Sequence, residues 1–212
     1  MWSSQLTILL AKVYFLMQLP VPDTLRPGTF PAYIEKIDIA VLYQLNCQRA
    51  TYLDSVMEFI TDLAPTLTFA IPSLILLFFL IRKEKKRWIE GVLLLLTVSV
   101  PALLTTVIKW YFDRPRPFSV YEIFEKLSVA GSPSFPSGHT TDAMALAIAL
   151  SLWRPKWYVI IPSFLWSFLT AWSRMHLGVH YPSDVLGGAF IGLFFGSFTW
   201  WLAKRSFNVT LS

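Results

Sequence analysis

Beyond residue 64 the chain alternates between apolar runs and short polar breaks. The runs cover 65–81, 88–108, 137–153, 157–172 and 182–203. A spanning helix needs about 20 apolar residues, with a range of roughly 17–25. Each run therefore predicts a helix that crosses a bilayer once its flanks are counted. Tryptophan or tyrosine stands at many of the ends: Trp88, Trp110, Tyr111, Trp153, Trp157, Trp172, Trp200 and Trp201. Such residues form the interfacial belts of membrane proteins. A sixth run, 6–20, is shorter and carries Lys12, whose stem can lie along apolar surface while its ammonium reaches the headgroups. No small-x-small cleavage pattern follows; "QLPVPD" does. The run reads as an uncleaved first helix and not as a signal peptide. The expectation is an all-α, polytopic bundle of six transmembrane helices, one domain over 1–212.

Between the first two runs the pattern changes. "PVPDTLRPG" predicts an extended, turn-rich connection. In "YLDSVMEFITDLA", Leu53, Val56, Met57, Ile60 and Leu63 recur at helical spacing, with Asp54, Glu58 and Asp62 on the other side. That is an amphipathic helix, expected on the extracytoplasmic side. It can lie in the interface or pack against the bundle. In the last run Gly188, Gly192 and Gly196 recur every fourth residue, beside Gly187. Small residues at this spacing let helices approach closely, either inside one chain or between two copies.

Composition supports the membrane reading. The 212 residues are 55% hydrophobic and 15% charged, with mean hydropathy +0.53. Soluble domains carry about 25% charged residues. The net charge is +5, but the positive residues fall into short clusters between apolar runs. That distribution suits contact with anionic headgroups and argues against nucleic acid. One cysteine, Cys47, excludes an intramolecular disulfide. The loops holding Arg82 and Arg87, Arg154 and Lys156, and Lys204 and Arg205 fall on one side if the helices alternate. Short basic loops face the cytoplasm. The opposite loops also hold Lys109, Arg114, Arg116, Lys126 and Arg174. The orientation therefore follows only if those residues are retained for chemistry. "NVT" at Asn208 matches a glycosylation acceptor but falls on the cytoplasmic side in this plan, so it reads as chance.

Three polar clusters stand at helix ends: "KWYFDRPRP" from Lys109, "FPSGH" from Phe135, and "SRMHLGVHYPSD" from Ser173. Alternating helices place all three on one face of the bundle. Lys109, Arg116 and Arg174 supply cations, and the arginine fork suits phosphate oxygens. Ser137 and Gly138 open an apolar helix, whose N–H groups favour an anion. His139 adds a titratable group. Pro182 is placed to open the last helix. An aspartate, here Asp184, that accepts from one nitrogen of His180 fixes the tautomer and leaves the other nitrogen free. A histidine so held serves as nucleophile or base. A cradle, a nucleophile and a second histidine as acid are the parts of a phosphoryl transfer. No metal ion and no cofactor is required, because fixed cations can carry the phosphate charge.

Lys109-x6-Arg116-Pro117, Pro136-Ser137-Gly138-His139 and Ser173-Arg174-x5-His180-x3-Asp184, taken together, resemble the three-part signature of the type 2 phosphatidic acid phosphatases. All three parts are present, in order, over a core of 109–188. The resemblance implies that His180 is the nucleophile and forms a phosphohistidine. It implies that Asp184 orients His180, and that His139 protonates the leaving lipid oxygen and then helps activate water. Lys109, Arg116, Ser137, Gly138 and Arg174 would hold the phosphate. The family spacing selects Arg116 over Arg114, leaving Arg114 as a supporting residue or a headgroup contact. Bacterial members place the site away from the cytoplasm, which agrees with the basic loops and implies the cytoplasmic (inner) membrane. The implied substrate is a lipid mono- or diphosphate held in the bilayer: undecaprenyl diphosphate first, then phosphatidylglycerol phosphate, phosphatidic acid or the 1-phosphate of lipid A.

Rival readings keep some of these parts. A phosphotransferase would pass the group from His180 to another lipid. A haloperoxidase would hold vanadate in a similar cradle, against which the spanning helices argue. A non-catalytic lipid-binding protein would not need His139, His180 and Asp184 together. His176, four residues before His180, could be drawn into a metal stripe with His180 and Asp184, but no glutamate follows it as in the zinc-protease helix. A structural or substrate-edge role fits His176 better. Asp142 reads as a stabiliser of its helix N-terminus, and Asp113 as a local charge partner of the arginines.

Overall fold

The structure, a computed structural model, describes residues 30–84 and 87–207. All regular structure among them is helical. Helix α1 covers Ala32–Leu42 and runs into a π-helical turn, Tyr43–Cys47. Then come α2, Asp54–Ile81, and α3, Trp88–Phe112. A single turn, α4, covers Pro117–Val120. The remaining helices are α5, Gly138–Trp153, α6, Trp157–His176, and α7, Pro182–Ser206. The expected first helix at 6–20, the connection after it and Asn208 lie outside the described residues.

Each of the five apolar runs beyond residue 64 forms a helix. Three stretches, Thr51–Ile81, Trp88–Val120 and Pro182–Ser206, are long and apolar enough to cross a bilayer. Their outer faces carry Leu74, Phe78, Leu103, Val107, Leu186, Phe190 and Phe194, all exposed. Aliphatic and aromatic surface on that scale is stable only in lipid, and the protein is an integral membrane protein. Helices α5 and α6 fall outside this set, α5 because it has only 16 residues and α6 because it carries more polar positions. Helix α5 is the hub, packed against α2, α3, α6 and α7. Its positions are filled with Ala and Thr, buried on all sides, because close neighbours demand small side chains more than hydropathy. Helix α6 turns Ile161, Leu165 and Phe168 outward and buries Ser167, Thr170, Ser173 and Arg174.

The amphipathic stretch expected before residue 65 is helical, but it is not a separate element. Its residues are the first turns of α2, which continues through Pro65 and Pro72. Each proline forfeits one intrahelical bond, a loss that transmembrane helices tolerate when neighbours pack around them. Met57 and Ile60 then pack on Leu177 and Val179 instead of lying in the interface.

The glycines of α7 belong to the interior of one chain. A Cβ on Gly188 would stand 2.5 Å from the Ser137 carbonyl oxygen, and one on Gly192 2.7 Å from that of Thr141. These are backbone atoms of α5 and its cap, so they cannot swing aside. The contact brings the first turn of α7 against the first turn of α5.

At one end of the bundle Glu90, buried, accepts from Trp153 Nε1 at 2.6 Å and Arg87 Nε at 3.2 Å, and lies 3.7 Å from Arg154. Two of the basic loops therefore share that end. The three motif clusters occupy the opposite end.

Gly192→Ala is expected to lower the unfolding free energy by about 1–3 kcal/mol through overpacking. Gly131→Ala, where nothing lies within 4 Å of the added carbon, should leave it unchanged. Thermal unfolding of the two variants in detergent checks the pair.

Candidate active site

Local sequence explains how each cluster is presented. Helix α3 ends at Asp113, which adopts the left-handed conformation (φ 44°) that Asp tolerates better than most residues. The prolines that follow, Pro115 and Pro117, keep the chain from resuming the helix at once. Helix α5 starts from Ser137 in an extended conformation, with Gly138 as its first residue. The Ser137 N–H donates to the Asp184 carbonyl oxygen at 2.9 Å, tying the caps of α5 and α7 together. After α6 the chain turns at Gly178, whose φ of +70° suits glycine alone among ordinary residues. The turn folds Val179 and His180 back under the α5 cap.

The motif residues meet here. Lys109 Cε lies 3.8 Å from where a Cβ on Gly138 would stand, so the lysine crosses the start of α5. Its Nζ donates to the Pro133 carbonyl at 2.7 Å. Arg116 donates through Nε to the Ser132 carbonyl at 2.8 Å and through Nη1 to the Val179 carbonyl at 2.7 Å. Arg174, 1% exposed, donates to the Thr61 hydroxyl and, at 3.4 Å, to that of Ser128. Its Nε is buried without a partner. Ser137 Oγ accepts from the Thr140 hydroxyl at 3.0 Å.

The tautomer of His180 follows from one contact. Arg116 Nη1 lies 3.2 Å from His180 Nε2. Arginine only donates, so Nε2 is the acceptor and the ring proton sits on Nδ1. That nitrogen lies 3.5 Å from Asp184 Oδ2. The separation is longer than a hydrogen bond, and Nδ1 is buried with no other partner. Burial, reinforced by the charges of Arg116, Arg174, Lys109 and His139, pushes the His180 pKa well below its ordinary value. The imidazole is neutral, and its Nε2 lone pair points toward the side where the cations gather.

Asp184 has no exposed surface. Its Oδ2 accepts from Ser134 and from the Tyr181 N–H at 2.9 Å; its Oδ1 accepts from Arg114 at 2.6 Å. His139 stands half-buried on the first turn of α5. All eight residues expected at the site thus lie around one helix N-terminus. Three buried cations and an anion-seeking helix end surround a neutral imidazole. Such an arrangement is completed by a phosphate group, which supplies both the negative charge and the acceptors.

The PAP2 superfamily model matches residues 90–208, more than half the chain. The chain belongs to the PAP2 superfamily. It is 35% identical over 144 residues to the undecaprenyl-diphosphatase BcrC of Bacillus subtilis, covering 68% of this chain and 72% of that protein. It is 29% identical over 179 residues to the lipid A 4'-phosphatase of Porphyromonas gingivalis, covering 79% and 73%. The crystal structure of the transmembrane PAP2-type phosphatidylglycerolphosphate phosphatase from Bacillus subtilis superposes with a TM-score of 0.69 at 25% identity, over 94% of this chain and 96% of that one. The resemblance carried by the three motifs is therefore a family relationship, and these PAP2 relatives are lipid phosphatases.

Two secondary readings change within the PAP2 frame. Arg114 is an interior residue: it is 2% exposed and pairs with Asp38 and Asp184. His176 is structural. Its Nε2 lies 2.8 Å from Asp54 Oδ1, and its carbonyl accepts from Asn46 at 2.9 Å, so it ties α6 to the start of α2. Among the described residues no group of three His, Cys, Asp or Glu side chains is arranged to hold a metal ion. Residues that carried no motif also reach the site: Thr61, Ser128, Ser132, Ser134 and Asp38. Only their distance in sequence hid them, since hydroxyls and carboxylates of this kind stand everywhere in polar loops.

His176→Ala should lower stability by about 1–3 kcal/mol, the value of a buried hydrogen bond to a charged partner. Phosphate turnover per folded molecule should not change. Parallel measurement of thermal unfolding and phosphate release separates His176 from His180.

Proposed function

We propose that the protein hydrolyses the terminal phosphate of a lipid mono- or diphosphate through a phosphohistidine on His180. The observation that carries this reading is the Arg116–His180 contact, which leaves an unprotonated Nε2 beside three buried cations. The phosphate oxygens are held by Lys109, Arg116, Arg174, the Ser137 hydroxyl and the N–H groups at the start of α5. His180 Nε2 attacks phosphorus while the bond to the lipid oxygen breaks. His139 gives its proton to that oxygen, and the lipid leaves. His139 then takes a proton from water, whose oxygen attacks phosphorus. The P–Nε2 bond breaks and inorganic phosphate is released. Asp184 holds the Nδ1 proton throughout and balances the positive charge that the ring carries when phosphorylated. The cations already lie where charge develops, so little reorganisation is needed during reaction.

Undecaprenyl diphosphate is the first substrate to test, on the strength of the BcrC similarity. Phosphatidylglycerol phosphate, phosphatidic acid and lipid A follow, the last favoured by the lipid A 4'-phosphatase relative. A cavity of about 520 Å3, lined by Phe30, Trp110, Phe118 and Arg116 among others, lies beside the cluster. Its mixture of rings and guanidinium suits the junction between a lipid tail and its phosphate. In this reading α5 and α6 span together with α2, α3, α7 and the run at 6–20, giving six helices. The basic loops at the Glu90 end face the cytoplasm, and the site opens on the far side of the cytoplasmic membrane.

Purified protein assayed in detergent against those four lipids should release inorganic phosphate from at least one. His180→Ala should lose about 10³-fold or more of that rate and still bind the lipid. Acid quenching during turnover should trap label on wild-type histidine only. Wild-type-like hydrolysis by His180→Ala would overturn the mechanism. Lipid consumed without free phosphate would indicate transfer to another lipid. The rate should survive excess chelator; strict dependence on added divalent metal would contradict charge neutralisation by the fixed cations.

A further inference from the structure

Arg114 is the arginine of the motif region whose partners are buried carboxylates. Its guanidinium lies between two rings, 3.9 Å from the centroid of Phe30 and 4.0 Å from that of Tyr181. A planar cation stacked on both faces can bond only through its edge. That edge meets two buried carboxylates. Nη1 donates to Asp184 Oδ1 at 2.6 Å and to Ser183 Oγ at 2.7 Å. Nη2 donates to Asp38 Oδ2 at 2.8 Å. Asp38 also accepts the Ser183 backbone N–H at 2.8 Å and the Ser183 hydroxyl. Asp38 stands on α1, outside the residues 90–208 that define the family match.

We propose that Arg114 and Asp38 are positioning residues for the reaction, a brace from α1 that fixes the Asp184 carboxylate and, through it, the tautomer and aim of His180. The proposal rests on the reading of His180 as nucleophile.

Asp184 can hold the Nδ1 proton of His180 only while its carboxylate is correctly turned. Ser134 and the Tyr181 N–H donate to Oδ2, but neither carries charge. Arg114 supplies the charged partner of a carboxylate that has no exposed surface. It also occupies Oδ1, which leaves Oδ2 as the oxygen facing Nδ1. Asp38 keeps the fork divided. By drawing Nη2 away, it prevents the guanidinium from closing with both arms on Asp184. By holding Ser183 it also fixes the first turn of α7, from which Asp184 projects. With the brace weakened, Asp184 turns, and the ring proton is free to move to Nε2. A ring protonated at Nε2 has no lone pair for phosphorus.

The test uses the full-length protein labelled with 15N-histidine. The chain holds only three histidines, so the ring nitrogens of His180 are assignable by comparison with His180→Ala. Asp38→Asn places an amide N–H₂ against the donors of Arg114 or Ser183. Arg114→Lys keeps the charge and loses the fork. Arg114→Gln loses both. The wild-type spectrum should show the proton on Nδ1, and Asp38→Asn and Arg114→Gln should show a mixture of tautomers. With the lipid that the wild-type protein hydrolyses fastest, kcat per folded molecule should fall about 10²-fold, the cost of a misplaced catalytic group, with KM unchanged. Arg114→Lys should recover part of the loss. Thermal unfolding supplies the folded fraction. An unaltered His180 spectrum with wild-type kcat in Asp38→Asn and Arg114→Lys would overturn the brace. A raised KM with wild-type kcat would do the same, by making Arg114 a substrate contact. Should any variant not fold, Arg114→Lys alone decides the outcome through its nitrogen spectrum. Turnover by His180→Ala would instead defeat the nucleophile reading, and the spectrum would still judge the brace.

Discussion

A carboxylate buried without exposed surface must be surrounded by donors, and the polar end of this bundle is organised around that need. Asp184 draws Arg114 from the segment after α3, Ser134 from the loop before α5, and the N–H of Tyr181 from its own chain. Desolvating an ion costs several kcal/mol unless the geometry is good and every lone pair is matched. The elements that donate to Asp184 are therefore held to one arrangement. The same carboxylate faces the His180 imidazole at 3.5 Å, so the requirement that orders the fold also orders the candidate site.

Helix α5 carries this local order to the centre of the bundle. It is central because its side chains are small, and it starts at the Ser137 cap. The glycines of α7 let the two helix starts come together, and the Ser137 N–H to Asp184 carbonyl bond fixes their register. Around that junction the chain gathers Lys109, Arg116 and Arg174. Like charges repel strongly where water is scarce, so each is held by its own neutral acceptors: Pro133 for the lysine, Ser132 and Val179 for Arg116, Thr61 and Ser128 for Arg174. Neutral acceptors hold a cation in place without cancelling it. Arg114, by contrast, is neutralised by carboxylates and serves the framework.

Much of this was legible in the sequence. Apolar runs of helical length predict the helices at 65–81, 88–108, 137–153, 157–172 and 182–203, and their polar ends mark one face. Spacing singles out His180 over His176, and Arg116 over Arg114, before any contact is known. These features survive because hydropathy and motif spacing are properties of short segments. The start of α2 was not legible, because an amphipathic stretch followed by proline looks the same whether the helix ends or continues. Packing of Met57 and Ile60 on Leu177 and Val179 decided that it continues.

The sequence by itself determined that the chain lives in a bilayer, that its polar clusters share one end, and which cationic, acidic and imidazole residues stand there. Only the tertiary structure decided the division of labour among them. Arg114 and Arg116 are two residues apart and chemically identical, yet one meets two carboxylates and the other an imidazole. Asp38 joins the site from a helix that carries no motif, and His176 is spent on Asp54. Charges and donors act over a few ångströms, and which groups come that close depends on contacts between segments as many as 145 residues apart, a distance that no local pattern records.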